Sequence, residues 1–456
     1  MVGRGARLKR IDEFADRRTR AHPFRMRRPT INFRGLRRSG EPRPTLTFSV
    51  RDMTDDAPLR CGASEHLPLG RGRWIRAATR TAAALVTCAG ALTRPLPAQQ
   101  RLDTLQSPDT PPASFFYKGR PYGSDAFLGP VEAFLNRGWN LSQTINRDRQ
   151  VFQADYGTRA VWESLTDPVG SIHNTGGWWT FFEEQILPIQ AVKWIGSGFD
   201  WDAAENMTWY PNYFGHLVEG GIMARRLAEK LRAQGVPFPH VVAGATILLG
   251  DVVNEMYTHP HLQMGTGGTV ADLYFFDPGG VLLFALDPVA RFFAETIRAT
   301  VWTNQVSLTL PGPVELNNAA QNLILKPPIP FVDRASFFVR SSIGSHLGIA
   351  YHLDDEYDLS LGVGADASRQ VLNLATGRET VDIMRSASLW LDRDGSLLAS
   401  LYVSEVEHRF LTVNVYPGVL HPDFGAWLVV TRHDGFQLGL SHRSLLGAAF
   451  GGRVGG

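Results

Sequence analysis

Residues Trp74 to Ala98 constrain this chain most, because they read as a secretory signal peptide set about seventy residues into the sequence. Arg71, Arg73, Arg76 and Arg80 supply a cationic leader, and Thr81 to Leu92 an apolar stretch of about a dozen residues. Leu96-Pro97-Ala98 ends on the small residue that signal peptidase requires. The apolar stretch is too short to span a bilayer as a helix. A core helix would rarely sit between Arg-rich text and the run Thr93-Arg94-Pro95-Leu96-Pro97. The expected organisation is therefore a disordered Arg-rich leader over 1–73, translated from a start codon set too far upstream, a signal peptide over 74–98 and a mobile lead-in over 99–114.

Removing the first 98 residues inverts the charge. The whole chain carries a formal +2, but from Gln99 onward about 25 basic residues face about 36 acidic ones. An acidic mature chain repels a polyanion, so nucleic-acid binding is excluded as an expectation. Both cysteines, Cys61 and Cys88, precede the cleavage point, which leaves neither a disulfide framework nor a thiolate nucleophile. Thr87 before Cys88 fits poorly as a lipidation site.

The texture of the sequence changes near residue 300. Before it, apolar spacing is helical: Pro130 to Leu141, Gly177 to Ile189, Asn212 to Arg232 and Val241 to Thr258 read as helices. In Asn212–Arg232, Phe214, Leu217, Ala224, Leu227 and Leu231 share a face, with Arg225, Arg226, Glu229 and Lys230 as the solvated side and Gly235 and Pro237 as the stop. Val241–Thr258 begins apolar all round and is expected to be buried on every side. No segment after the signal reaches the length of a transmembrane helix.

From Asn304 the period drops to two. Tyr357, Leu359, Leu361 and Val363 alternate with small or polar residues, as do Leu411, Val413 and Val415. About nine or ten such runs fit before Phe450. The expected fold is α+β: a helical domain over 115–303, an antiparallel β-barrel over 304–450 and a tail over 451–456. An outer-membrane barrel is preferred to a soluble one, although alternation alone reads the same with the apolar face in or out.

Candidate chemistry gathers in the helical half. Asp251 and Glu255 interrupt an apolar helix four residues apart, where like charges repel and burial is costly unless a partner is present. His216, Arg225 and Arg226 are the expected partners. Catalytic candidates are His216, Asp251, Glu255 and Asp272; metal-ligand candidates are His216, Glu219, Glu255 and His259, at spacings that match no standard motif. An internal ion-pair network is the preferred reading of these residues. Glu219 is expected on the helix surface beside Arg226. No cofactor is expected, since the sequence lacks a Walker loop and a dinucleotide fingerprint, and Gly265-Thr266-Gly267-Gly268-Thr269 reads as a flexible connection. Ser345-His346 and Ser441-His442 fall in strand text, where such pairs arise by chance.

Asn212-Tyr213-Phe214-Gly215-His216, Gly220-Gly221, Ala224-Arg225, the Asp251 and Glu255 pair, Ala271-Asp272-Leu273 and Pro278-Gly279-Gly280 together resemble a bacterial cell-envelope family of unknown function. The chain differs from that pattern at Gly250-Asp251, where the family has a Trp-Glu pair, and at Ala271, where Asn is usual. The resemblance implies a helical block preceding an outer-membrane barrel, and no reaction. The expected role is that of an exported envelope protein in contact with outer-membrane lipid, structural or transport-related. The alternatives are a periplasmic or outer-membrane hydrolase of lipid or glycan, using His216 with Asp251 or Glu255, and a soluble periplasmic binding protein.

Overall fold

Proline and glycine set the limits of the helices in the first half. The computed structural model describes residues 114–143, 154–187, 210–258, 266–309, 315–373, 378–432 and 435–453, all in one unit of the chain, Gly70–Gly456. The expected leader and signal peptide, residues 99–113 and His259 lie outside the described residues. Helix α1 (Pro130–Gly138) has its proline in the first turn, where a missing N–H costs nothing. Helix α2 spans Ala154–Thr166. Helix α3 (Gly221–Ala233) continues a π-helix over Pro211–Gly220, so the expected single α-helix from Asn212 is more widely wound in its first half. Asn212 does not cap it; its side chain donates to the Gln185 carbonyl at 3.0 Å. Gly235, at φ +73°, ends α3 as expected.

Helix α4 (Pro239–Thr258) is the central one. Helix α5 (Asp277–Ala285) follows a short helix at Gly267–Ala271 and a π-helical turn at Asp272–Phe276. The glycine-rich text there is thus helical from Gly267. Two glycines let these helices touch. A Cβ on Gly250 would lie 2.8 Å from the Arg137 Cβ, and one on Gly280 would lie 2.4 Å from the Leu217 carbonyl oxygen. Ile222, Met223, Leu227, Ile247 and Phe284 fill the space between, together with Val301 and Leu323 of the sheet.

The expected solvated side of α3 is buried. Residues 114–128 run across it, and the Glu229 carboxylate accepts the backbone N–H groups of Phe115, Phe116 and Tyr117 at 2.8–3.0 Å. Arg225 bonds Glu229 at 2.8 Å and Asp287 at 2.7 Å. Arg226 is paired with Asp125. The chain is therefore docked from Ser114, inside the stretch expected to be mobile.

The second half is a mixed sheet of thirteen strands: β1 (Ala299–Thr303), β2 (Ser307–Thr309), β3 (Leu316–Asn317), β4 (Gln321–Leu325), β5 (Ala335–Ser341), β6 (Gly344–His352), β7 (Tyr357–Asn373), β8 (Arg378–Arg393), β9 (Ser396–Ser404), β10 (Leu411–Val415), β11 (Phe424–Val430), β12 (Gly435–His442) and β13 (Leu445–Arg453). From β4 to β13 it is a meander in which each strand pairs antiparallel with the next. β1 pairs with β4, whereas β2, only Asn304-Gln305-Val306 further on, pairs in parallel with β13. The order ends on β1 and β3 and does not close into a barrel. The expectation of a helical half before a large sheet holds at that level. Two details are corrected: the sheet is mixed rather than antiparallel, and residues 451–453 belong to β13 rather than to a tail. The parallel pairing comes from the divided segment 299–309, which bonds β4 with its beginning and β13 with its end, and residues 451–453 are held by β12, where they pair with Gln437, Phe436 and Gly435.

The register aligns side chains of one kind into rows. Phe337, Ile349, Leu361, Leu389, Leu401, Val413, Leu428, Leu438 and Phe450 are successive partners across nine strands. A second row runs Val339, Leu347, Val363, Ala387, Val403, Leu411, Val430 and Phe436. These rows face outward, with Leu347 64 % and Leu361 57 % exposed. On the other face, in the row beside the first and away from the second, lie buried Ser360, Trp390, Ser400, Asn414 and Trp427. That face is held by polar bonds: Asn318 donates to Asn414 at 2.8 Å, Gln305 to the Val415 and Ala426 carbonyls, and Trp427 to Ser307 at 2.9 Å. Asn136 of α1 clamps the divided segment, accepting from the Ala320 N–H at 2.9 Å and donating to the Asn304 carbonyl at 3.2 Å.

Candidate functional site

Helices α1, α4 and α5 and the two π-helical segments converge on one buried cluster of charged side chains. Gly250 lets α1 approach α4, and Arg137 at the end of α1 then reaches Asp251, which is 0 % exposed and bonded to the Arg137 Nε. The same guanidinium donates to the Gly215 carbonyl at 3.0 Å and to Asp277 at 3.4 Å. Gly280 lets α5 approach the first π-helix, which sets Asp277 Oδ1 2.8 Å from His216 Nδ1. The other imidazole nitrogen, Nε2, faces Asp272 Oδ2 at 3.8 Å. Glu255, one turn beyond Asp251, accepts the Thr269 hydroxyl at 2.8 Å.

The four catalytic candidates, His216, Asp251, Glu255 and Asp272, are therefore together in space. Their partners differ from those expected. Arg225 and Arg226 belong to the separate network with Glu229, Asp287 and Asp125, because residues 114–128 and α5 cover that side of α3. Glu219 is not a surface residue beside Arg226; it is 2 % exposed, and the charges acting on it are Arg137, His216 and Arg340. Sequence reasoning missed Arg137 and Asp277, the two residues that tie the cluster together. The signals for them were indirect: a glycine beside a buried acid marks a close neighbour, and the glycine pairs at 220–221 and 279–280 mark a helix contact.

Five carboxyl groups, Glu219, Asp251, Glu255, Asp272 and Asp277, share this space with two cations, Arg137 and His216. Such an excess cannot stay fully ionised in a medium of low polarity. Burial pushes Asp251 up to about 8 against the pull of Arg137, with Asp277 adding to the rise. Burial likewise holds Asp272 well above the usual carboxylate range. Glu219 is pushed up to about 7 by burial, with Arg137 and His216 opposing. For His216 burial works toward a lower value, but the Asp272 and Asp277 charges win and raise it to about 10. The cluster thus takes up protons that water-exposed acids would release. Asp251 Oδ2, Asp272 Oδ1 and Asp277 Oδ2 are buried and accept no hydrogen bond.

A second polar region lies on the buried face of the sheet. A cavity of about 30 Å³, room for one or two waters, is lined by Arg340, Arg409, Asp366, Trp390, Tyr402 and Asn322 among others. The neighbouring Ser–His pairs of the sequence do not form dyads. His346 bonds Ser388 at 2.5 Å and Ser386 at 2.7 Å, while Ser345 turns to Tyr210. Ser441 bonds Gln305. No family model, no curated protein and no solved structure matches this chain.

Proposed function

We propose that the protein is an outer-membrane protein of the bacterial envelope, in which the divided segment 299–309, bonded to β4 at its beginning and to β13 at its end, lets the open sheet close as a barrel in lipid and anchor the helical block as a closed scaffold. The observation that carries this reading is the inverted polarity of the sheet, with apolar rows outward and polar rows buried. Contiguous apolar surface on this scale is unfavourable in water and is the pattern that lipid selects. On β8 the outward rows run between Arg385 and Arg393, a length of about 26 Å and a height of about 20 Å at the tilt usual for such strands. That height suits the thin hydrocarbon layer of an outer membrane. Among the described residues no single helix is long and apolar enough to cross a bilayer.

A structural role is favoured over transport because buried Trp302, Trp390, Phe338 and Tyr416 fill the inner face. The hydrolase alternative gains no support from the charged cluster, since Asp251 is 0 % and Glu255 2 % exposed and a substrate would have to part the helices to reach them. The test is fractionation of a Gram-negative host expressing the full chain. The protein is expected to stay with the outer membrane through high salt and alkaline carbonate, as attachment by apolar burial requires. Release by either wash overturns the membrane reading and favours a soluble periplasmic protein. Stepwise conductance of the purified protein in a planar bilayer would overturn the closed scaffold and assign transport.

A further inference from the structure

We infer that His216, Glu255 and Asp272 form a binding site for one divalent cation within the helical block. One ligand atom from each of the three lies within 4.8 Å of the other two, and all three residues are buried. The imidazole is already oriented to ligate, because Nδ1 is engaged by Asp277 Oδ1 at 2.8 Å, which leaves Nε2 toward the two acids. A carboxylate behind a ligating histidine is the usual outer-shell arrangement of metal sites. Glu255 is oriented in turn by the Thr269 hydroxyl.

The independent sign of a missing partner is Asp272. Its Oδ1 is buried without a hydrogen bond, and its ion-pair contact with His216 Nε2, at 3.8 Å, is too long to be a hydrogen bond. A cation between them would satisfy both atoms. His216 with Asp251 and Asp277 meets the same distance criterion, but Arg137 already bonds both of those acids and would repel a second positive charge. The site therefore belongs on the side of Asp272 and Glu255. One imidazole and two carboxylates, with no thiolate, suit Zn²⁺, Mn²⁺ or Fe²⁺ better than Cu⁺ or an all-oxygen Ca²⁺ site.

The test uses the untagged full-length protein, stripped with chelator, dialysed and titrated with Zn²⁺, Mn²⁺ and Ca²⁺ separately, with bound metal measured by elemental analysis and Tm recorded in parallel. About one equivalent of Zn²⁺ or Mn²⁺ is expected, with a rise in Tm and at least a tenfold preference over Ca²⁺. Asp272→Asn and Glu255→Gln, both close in shape to the native residues, should each weaken binding by at least tenfold, whereas Arg159→Gln, on the exposed surface, should leave it unchanged. The far-ultraviolet circular dichroism of each variant establishes that it is folded. Substoichiometric metal in the native protein, or undiminished binding in folded Asp272→Asn, overturns the site. The outcome is independent of whether the sheet inserts into lipid.

Discussion

The helical block and the sheet place their apolar side chains differently, the block mainly inward and the sheet in outward rows as well. Between the helices the interior is apolar, with charge confined to the Arg137–Asp251–Asp277–His216 cluster and the Arg225–Glu229 network. In the sheet the buried face mixes serine, asparagine and threonine with the rings of Trp302, Phe338, Trp390 and Tyr416, and the exposed face carries leucine, valine and phenylalanine. The first arrangement is what water drives through the hydrophobic effect. The second is the arrangement expected where the outward rows meet something apolar. The contrast separates what each region's polar groups do: charged and gathered in clusters between the helices, mostly neutral and spread in rows inside the sheet, where the Ser360, Thr412 and Gln321 side chains lack hydrogen bonds.

The sharpest way to break this comparison is to remove the cation at its centre. Arg137→Met would leave Asp251 buried without its cation, and a loss of about 3 to 5 kcal/mol is expected in chemical denaturation above pH 8, the value to which burial pushes that acid. A loss below about 1 kcal/mol would mean that the acids are already neutral and the pairing is incidental.

Next in size is a charge on the outward face of the sheet. Leu389→Arg falls in the middle of the first apolar row and is expected to cost about 2 to 4 kcal/mol when the protein is folded into lipid vesicles. The same change on a water-facing strand should alter stability by no more than about 0.5 kcal/mol. The measured value therefore tells which solvent that row meets.

The smallest expected effect sharpens the cluster through pH. Glu219 is pushed up to about 7 by burial, so its charged form is disfavoured in the folded chain. The cost is absent below the ordinary glutamate value, grows as pH rises and is complete above pH 7. Glu219→Gln in chelator-treated protein should be near neutral at pH 4 and stabilise by up to about 3 kcal/mol at pH 8. Equal effects at both pH values would show that folding leaves the proton affinity of Glu219 unchanged.

Much of this contrast could be read from the sequence. The all-apolar start of α4 and the alternation through Leu359, Leu361 and Val363 identify a buried helix and paired strands, because periodicity records burial directly. The sign of the alternation could not be read, since inward and outward faces exchange without changing the pattern. Arg225, Arg226 and Glu229 misled for a related reason. Charged residues clustered on a helix are usually solvated, and only the passage of residues 114–128 across α3 makes this set internal. Arg137 was illegible because its partner Asp251 lies on another helix far along the chain; only the adjacent Gly250 hinted that something comes close. The π-helical winding that carries His216 and begins at Asp272 has no sequence rule to announce it.

The divided segment 299–309 also sets the order of events during folding. Its first part pairs with β4 and its second part with β13, so one short stretch near the start of the sheet must wait for the strand at its far end. A parallel pairing between such distant segments is slow, because loop entropy is lost before any contact compensates it. The strands between them can zip neighbour to neighbour, and Asn136 can already clamp Asn304 and Ala320, which lie beside the β1–β4 pairing. Until then β2 and β13 present open edges, the condition that invites aggregation. A chain built this way keeps two sheet edges open until its final strand is available.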